Sequence, residues 1–155
     1  MTGRIDKRLA ELGIALPKPT PPAGSYSPYV VSGRLVFISG QVPVDATGLP
    51  YCGKVGDTVS KEDAVSAARL CGINILAALR EACAGDLDRV TRCIKLGGFV
   101  NASPDFTAHP EVINGCSDLM AEVFGDAGKH ARFAVGAVGL PFDVAVEVEA
   151  VFEIA

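Results

Sequence analysis

The C-terminal part of the chain holds two charged residues that could act together on a small carboxylate. Arg132 stands at the head of a short apolar run, and Glu147 lies in a second apolar run that follows a tight turn at Leu140-Pro141. A planar guanidinium binds a carboxylate through two parallel hydrogen bonds, and a nearby glutamate can hold or activate a water molecule. On neighbouring strands the same pair could instead form a surface ion pair, which contributes little to stability. Spacing alone slightly favours the ion pair.

Three polar residues elsewhere are further candidates for such a site. Tyr26 could fill the core or line a pocket, Ser39 is of a type common in turns, and Asn114 falls in a helical pattern. Two histidines are too few for a metal site: His109 is expected at a helix start and His130 on the surface. No phosphate loop, dinucleotide fingerprint or GxSxG motif is present. We therefore expect neither a metal nor another cofactor.

Composition predicts one globular domain. The chain has 155 residues, 49% of them hydrophobic and 21% charged, which is enough apolar sequence to bury a core. A net charge of −4 argues against a nucleic-acid partner. Five widely spaced cysteines without a CxxC pair indicate reduced, mostly buried thiols. The sequence shows no apolar leader and no run long enough to span a membrane, so it predicts a cytoplasmic protein.

The first half of the chain reads as a helix, a connector and a hairpin. Apolar spacing predicts a helix over 4–12, and the prolines of 16–22 predict an extended connector after it. These two segments form an N-terminal arm of residues 1–22. Residues 26–40 predict an antiparallel hairpin, and 42–50 an irregular strand with a turn at its centre.

The second half predicts two helices alternating with strands. A helix is expected over 60–84 with Ser60 at its start, a strand over 90–100, and a second helix from Pro110 to just before Gly125. The two closing runs complete the strands. The order ββ(β)αβαββ predicts an α+β sandwich with two helices on one face of a mixed sheet. The apolar strands favour cover of the other face by a partner subunit.

Four segments together resemble the Rid/YjgF family, the reactive intermediate deaminases that also carry the label endoribonuclease L-PSP. The resemblance spans about residues 21–155, and the arm resembles that of a separate subgroup. The closing segment is the most specific of the four, because the arginine, the Leu-Pro turn and the Glu-x-Glu recur in one register. The segments are Gly24–Pro28, Ile38–Pro43, Val112–Asn114 and Ala131–Ala150.

The resemblance implies a fold, an assembly and a reaction. The fold is chorismate-mutase-like, formed here by residues 23–155, and the assembly is a homotrimer with clefts between its subunits. The reaction is the cofactor-free hydrolysis of small imine or enamine acids to 2-keto acids and ammonia.

By position, the resemblance also implies roles for individual residues. Arg132 looks like the carboxylate clamp and Glu147 like the acid that orients water. Tyr26, Ser39 and Asn114 resemble residues that line the cleft.

The chain departs from well-studied members directly after the arginine. Those members carry a small residue and then a cysteine, whereas this chain has Phe133 and Ala134. The Ala134 carbonyl could still accept a hydrogen bond from water, and Phe133 would fill part of the cleft if it points inward. An alternative function is therefore a non-catalytic binding or sensor protein for small carboxylates. The third alternative, an endoribonuclease, is weakest because the chain is acidic and lacks a histidine pair.

Overall fold

Five strands form one mixed sheet, and two long helices cover one of its faces, as the sequence predicts. The computed structural model describes residues 2–155. The strand order is β1-β2-β5-β3-β4, and only β3 and β4 run parallel. The strands are β1 (Tyr29–Ser32), β2 (Leu35–Gln41), β3 (Val90–Asn101), β4 (Ala131–Ala137) and β5 (Val146–Ile154).

The long helices α2 (Lys61–Ala82) and α3 (His109–Phe124) begin and end close to the predicted residues. Ser60 caps α2, since its hydroxyl accepts a hydrogen bond of 3.1 Å from the backbone N–H of Asp63. Gly125 ends α3 with a φ of +61°, a conformation that glycine adopts at little cost. These end signals are local, which is why the sequence predicts them.

The two helices touch through a glycine. A Cβ added to Gly115 of α3 would lie 2.1 Å from the backbone oxygen of Val65 in α2. Because only a hydrogen fits there, the helix backbones approach closely. The core below them is formed by large apolar side chains from both helices and the sheet, among them Ile75, Leu76, Leu96, Ile113, Leu119, Met120 and Phe152.

The N-terminal helix α1 (Arg4–Glu11) packs on its own subunit. Ile5 and Leu9 are buried in the same core as the sheet. The carboxylate of Asp88 accepts hydrogen bonds of 2.8 Å from the backbone N–H groups of Arg4 and Ile5, so another element caps this helix. Residues 12–28 then form neither helix nor strand, as their prolines predict.

Two sequence-based expectations about the strands were wrong. Residues 42–50 form no strand: only an isolated bridge between Asp45 and Gly48 closes the predicted turn. The two closing strands are not neighbours, because β3 lies between β4 and β5. Arg132 pairs with Leu96 of β3, and Glu147 pairs with Phe99. Arg132 and Glu147 are therefore not the cross-strand ion pair that their spacing favoured.

The face of the sheet away from α2 and α3 carries apolar side chains. Phe37 is 45% exposed and Val135 is 43% exposed, and both lie on this face, called here the open face. Along β5, the valines at 146 and 148 point to the helices and Glu147 points to the open face. Within residues 2–155 no helix packs on the open face. None of the helices described is long and apolar enough to cross a membrane.

Candidate active site

Arg132 is held by three neutral acceptors from α3. Its Nη1 donates to the side-chain oxygen of Asn114 at 2.8 Å and to the hydroxyl of Ser117 at 3.0 Å, and its Nη2 donates to the backbone oxygen of Pro110 at 3.0 Å. No carboxylate in the described part of the chain forms an ion pair with it. These contacts fix the guanidinium without cancelling its charge, as an anion site requires.

A shallow cavity of about 310 Å³ opens beside this guanidinium. Lys129 and His130 also line it, so its charged and titratable groups are all basic. Lys129 is 73% exposed and forms an ion pair of 2.9 Å with Asp126. The volume suits a ligand of a few heavy atoms. The arrangement can bind a small anion.

Glu147 lies half-buried on the open face without an ion-pair or hydrogen-bond partner among residues 2–155. Burial raises the pKa of its carboxyl group, and the neighbouring charge of Glu149 raises it further. Gly40 of the neighbouring strand β2 faces this carboxylate: an added Cβ would lie 2.4 Å from Oε1 of Glu147. The glycine therefore leaves the space that the carboxylate occupies.

Ser39 precedes Gly40 in β2, and Tyr26 lies in the segment before β1. The hydroxyl of Ser39 donates to the backbone oxygen of Ser27 at 2.6 Å, which ties the end of β2 to the segment before β1. Tyr26 is 51% exposed, and its hydroxyl accepts a hydrogen bond of 3.2 Å from the backbone of Ala23. The tyrosine ring is thus held at the surface rather than in the core.

The predicted site residues therefore form two groups within one chain. The arginine group, Arg132 with Asn114, lies at the β4 edge and on the helix side of the sheet. The glutamate group, Glu147 on β5 with Gly40 and the adjoining Ser39 on β2, presents the Glu147 carboxylate to the open side. Tyr26 lies before β1, and none of the hydrogen bonds described for residues 2–155 joins it to either group. One chain does not bring Arg132 and Glu147 into a common pocket.

Phe133 and Ala134 lie on opposite sides of β4. Phe133 points to the open face and packs edge-to-face on Phe99, with ring centroids 5.3 Å apart. Gly97 makes room for it, because an added Cβ would lie 2.7 Å from the end of the Phe133 ring. Ala134 packs against the core on the helix side. The phenylalanine ring therefore turns away from the guanidinium of Arg132.

Sequence reasoning missed Ser117 and took His130 for a surface residue. His130 is half-buried: its Nδ1 lies 2.7 Å from the backbone oxygen of Gly128, and its Nε2 lies 2.8 Å from the hydroxyl of Ser117. Two spacings could have pointed to both residues. Ser117 follows Asn114 by three positions on a helix, and His130 precedes Arg132 by two on an extended segment, so each pair shares a face.

The cysteine thiols do not line the cavity beside Arg132. Four of the five cysteines are buried, as the sequence predicts, and only Cys52 is exposed. Burial raises the pKa of Cys93 to about 12 and that of Cys116 still further. Buried thiols with raised pKa values are poor nucleophiles at neutral pH.

Comparisons with known proteins identify the family. The family model described as "YjgF/chorismate_mutase-like, putative endoribonuclease" matches residues 6–153. Protein TCP17 of Trypanosoma cruzi is 44% identical over 154 residues, which cover 99% of this chain and 96% of that protein. The crystal structure of Atu1372 from Agrobacterium tumefaciens is 44% identical, with a TM-score of 0.91 over 97% of this chain and 92% of that one. E. coli TdcF, solved with bound serine, is 25% identical, with a TM-score of 0.59 over 89% and 94% of the two chains. The chain therefore belongs to the YjgF/chorismate-mutase-like family.

Proposed function

We propose that this protein is a cofactor-free deaminase that hydrolyses small 2-imino or enamine acids to 2-keto acids and ammonia. The observation that carries the proposal is the guanidinium of Arg132, which is fixed by three neutral acceptors and has no carboxylate partner among the described residues. Such a group offers its charge and its fork of N–H donors to the carboxylate of a substrate. The basic cavity of about 310 Å³ beside it fits a substrate of this size.

The complete site forms, in this proposal, between two subunits of a homotrimer. Arg132 and Glu147 lie on opposite faces of the sheet in one chain, so a common pocket needs the arginine group of one subunit and the glutamate group of another. The open face supports such an assembly, because Phe37 and Val135 would be covered by a partner.

The chemistry requires a bound carboxylate, a water molecule and one proton acceptor. Arg132 holds the substrate carboxylate, and Glu147 takes a proton from water as its oxygen bonds to the imine carbon. The electron pair of the C=N double bond moves to nitrogen, which takes up the proton that Glu147 accepted from water. Glu147 then accepts the hydroxyl proton of the carbinolamine as the keto group forms, and gives it to the amino group as the C–N bond breaks and ammonia departs. The raised pKa of Glu147 suits a group that first accepts and then donates a proton.

The serine bound in the solved structure of E. coli TdcF supports a ligand of this class. Serine is a small amino acid with a carboxylate next to a carbon that bears nitrogen. A 2-imino acid has the same carboxylate and the same carbon–nitrogen position. The arginine side of the present site is suited to the carboxylate of either molecule.

The proposal is tested by measuring hydrolysis of an imine that a second enzyme produces in the same assay mixture. An amino-acid oxidase acting on alanine supplies 2-iminopropionate, and its loss is followed against the buffer rate. We expect Arg132→Ala to lose at least about 100-fold in kcat/KM, because the carboxylate loses a bidentate, charge-assisted contact.

Arg69→Ala is the matched control for this experiment. Arg69 pairs with Glu122 between α2 and α3, and neither residue lines the cavity beside Arg132. Removing an exposed pair of this kind changes little, so its turnover should equal that of the wild type. Wild-type turnover no faster than the buffer rate would reject deamination of this substrate.

A second candidate, binding of a small carboxylate without catalysis, is favoured by the composition of the arginine group. That group and its cavity are complete within one chain and need no general base to bind an anion. Calorimetry with pyruvate, 2-oxobutyrate and benzoate tests this function. Saturable binding that depends on Arg132, without imine turnover, would favour it over the deaminase. Cleavage of RNA, named in the family description, has less support here because the chain carries a net charge of −4.

A further inference from the structure

A hydrogen-bonded chain runs from Arg132 through Ser117 to His130, and its proton positions follow from donor and acceptor chemistry. The backbone oxygen of Gly128 can only accept, so the 2.7 Å contact requires a proton on Nδ1 of His130. The guanidinium of Arg132 can only donate, so the hydroxyl of Ser117 is its acceptor at 3.0 Å. One contact of the chain remains open: Ser117 Oγ to His130 Nε2, at 2.8 Å.

That contact has two forms, and they differ in what Ser117 offers to a ligand. When His130 is neutral, its Nε2 bears a lone pair and accepts a hydrogen bond from the hydroxyl of Ser117. When His130 is protonated, its Nε2–H donates a hydrogen bond to the Ser117 oxygen instead. The O–H of Ser117 is then free to donate to another group. Ser117 lines the same cavity as Arg132, so its free O–H can donate a hydrogen bond to an anion there.

We propose that Ser117 and His130 are positioning residues of the carboxylate clamp, and that His130 takes up a proton when the cavity binds an anion. The inference rests on the proposed function, in which Arg132 holds a carboxylate. Protonation of His130 strengthens the clamp in two ways. It adds a positive charge beside the cavity, and it frees the Ser117 hydroxyl as a further donor while Arg132 stays anchored.

A bound anion favours a positive charge on a nearby imidazole, because opposite charges within a few ångström stabilise the charged form. Three cations and one carboxylate lie on the His130 segment, the preceding turn and β3, and the carboxylate is paired with the lysine. The groups are Lys129 and Arg132 on its own segment, Asp126 in the preceding turn, and Arg92 of β3, whose guanidinium donates to the backbone oxygen of Lys129.

The first test reads the tautomer of His130 in the unmodified protein. Long-range proton–nitrogen correlation spectra at pH 8 distinguish a proton on Nδ1 from one on Nε2. We expect His130 to carry its proton on Nδ1, in contrast to the Nε2–H form that free imidazole side chains prefer. A proton on Nε2 at pH 8 would overturn the proposal. Only two histidines are present, so assignment needs a single comparison with His109→Gln.

The second test measures pyruvate affinity by calorimetry between pH 8 and pH 5.5, in buffers of different ionisation heat. Pyruvate stays a carboxylate over this range. We expect wild-type affinity to rise about fivefold as the pH falls, with proton uptake on binding. His130→Gln keeps an acceptor for Ser117 but cannot gain charge, so its affinity, whatever its level at pH 8, should stay constant as the pH falls. His109→Gln is the control and should keep the wild-type dependence, because His109 packs on Phe106 and beside Gly136.

The outcomes separate this inference from the proposed function. Pyruvate affinity that ignores pH in the wild type, or that changes equally in His130→Gln, overturns the inference even if imine turnover is intact. A pH dependence that is lost only in His130→Gln supports it even if imines are not hydrolysed. Absence of pyruvate binding at every pH overturns it as well.

Discussion

In the proposed mechanism, Glu147 is the residue at which catalysis and stability oppose each other. Its carboxylate is half-buried without a cationic partner among residues 2–155, and burial raises its pKa above the ordinary value for glutamate. A raised pKa favours proton transfer from water. It also means that the charged form is unfavourable in the folded chain. A group with these two properties is expected where function, rather than folding, selects the side chain.

We predict that Glu147→Gln removes imine turnover and raises the midpoint of thermal unfolding at pH 7.5. The amide has the same shape but can neither accept the proton of water nor carry a charge. A gain of about 1 kcal/mol would move the midpoint by about 3 °C in a chain of this size. Calorimetric unfolding and the imine assay measure the two effects on one sample.

The stability gain of Glu147→Gln should depend on pH in a defined direction. Because the folded pKa of Glu147 lies above the unfolded one, its contribution to stability is full below the unfolded pKa and is lost as pH rises through the folded pKa. The advantage of Glu147→Gln should therefore vanish near pH 4. Glu62→Gln, in the exposed first turn of α2, is the control and should gain no stability. A variant destabilised at pH 7.5 would contradict the unpaired burial of Glu147.

Residue types alone suggested some members of the candidate site, whereas others are recognised only from their tertiary contacts. An arginine and a glutamate in apolar runs suggest anion binding and water activation whatever the fold. For Ser117 and His130 the residue type is uninformative, because serine and histidine are common on surfaces, and their spacing from Asn114 and Arg132 shows only a shared face. Their role depends on where α3 crosses the start of β4, and no local pattern specifies that crossing.

At the scale of elements, the sequence predicts what is encoded locally. The cap at Ser60, the prolines before β1 and the glycine that ends α3 each act within a few residues, and the helices and strands they bound appear as predicted. The order of the last strands is not local. β3 and β4 run parallel with α3 as their crossover, so β5 pairs on the far side of β3. Short apolar runs joined by a turn do not distinguish this arrangement from a hairpin.

The close packing of α2 on α3 depends on the absence of a side chain at Gly115. We expect Gly115→Ala to lower the free energy of unfolding by about 3 kcal/mol, because the methyl group would collide with the Val65 backbone and push the helices apart. Denaturant unfolding measures the loss. Gly139→Ala is the matched control, since an added Cβ there meets no atom within 4 Å. Equal stability of Gly115→Ala and the wild type would show that the helices are not in close contact at this position.

The whole molecule divides its site between the two faces of one sheet. Side chains alternate along each strand, so the step from Arg132 to Phe133 already passes from the helix side to the open face. Glu147 shares the open face with Phe133. No rotamer of Arg132 can cross the sheet to reach it. If both residues act on one substrate, they must come from different copies of the chain.

Mixing Arg132→Ala with Glu147→Gln, each expected to be inactive alone, tests whether the two residues act from different copies of the chain. Arg132→Ala keeps an intact glutamate group, and Glu147→Gln keeps an intact arginine group. In the proposed homotrimer, joint refolding or co-expression mixes the two variants, and a cleft would be complete when it receives Arg132 from one variant and Glu147 from the other. With random assembly at equal amounts, about a quarter of the clefts are complete, so we expect about a quarter of wild-type imine turnover. Each variant alone, or both mixed without subunit exchange, should stay inactive. If the two residues acted within one subunit, no mixed trimer would contain a working site and turnover would stay at the level of the single variants.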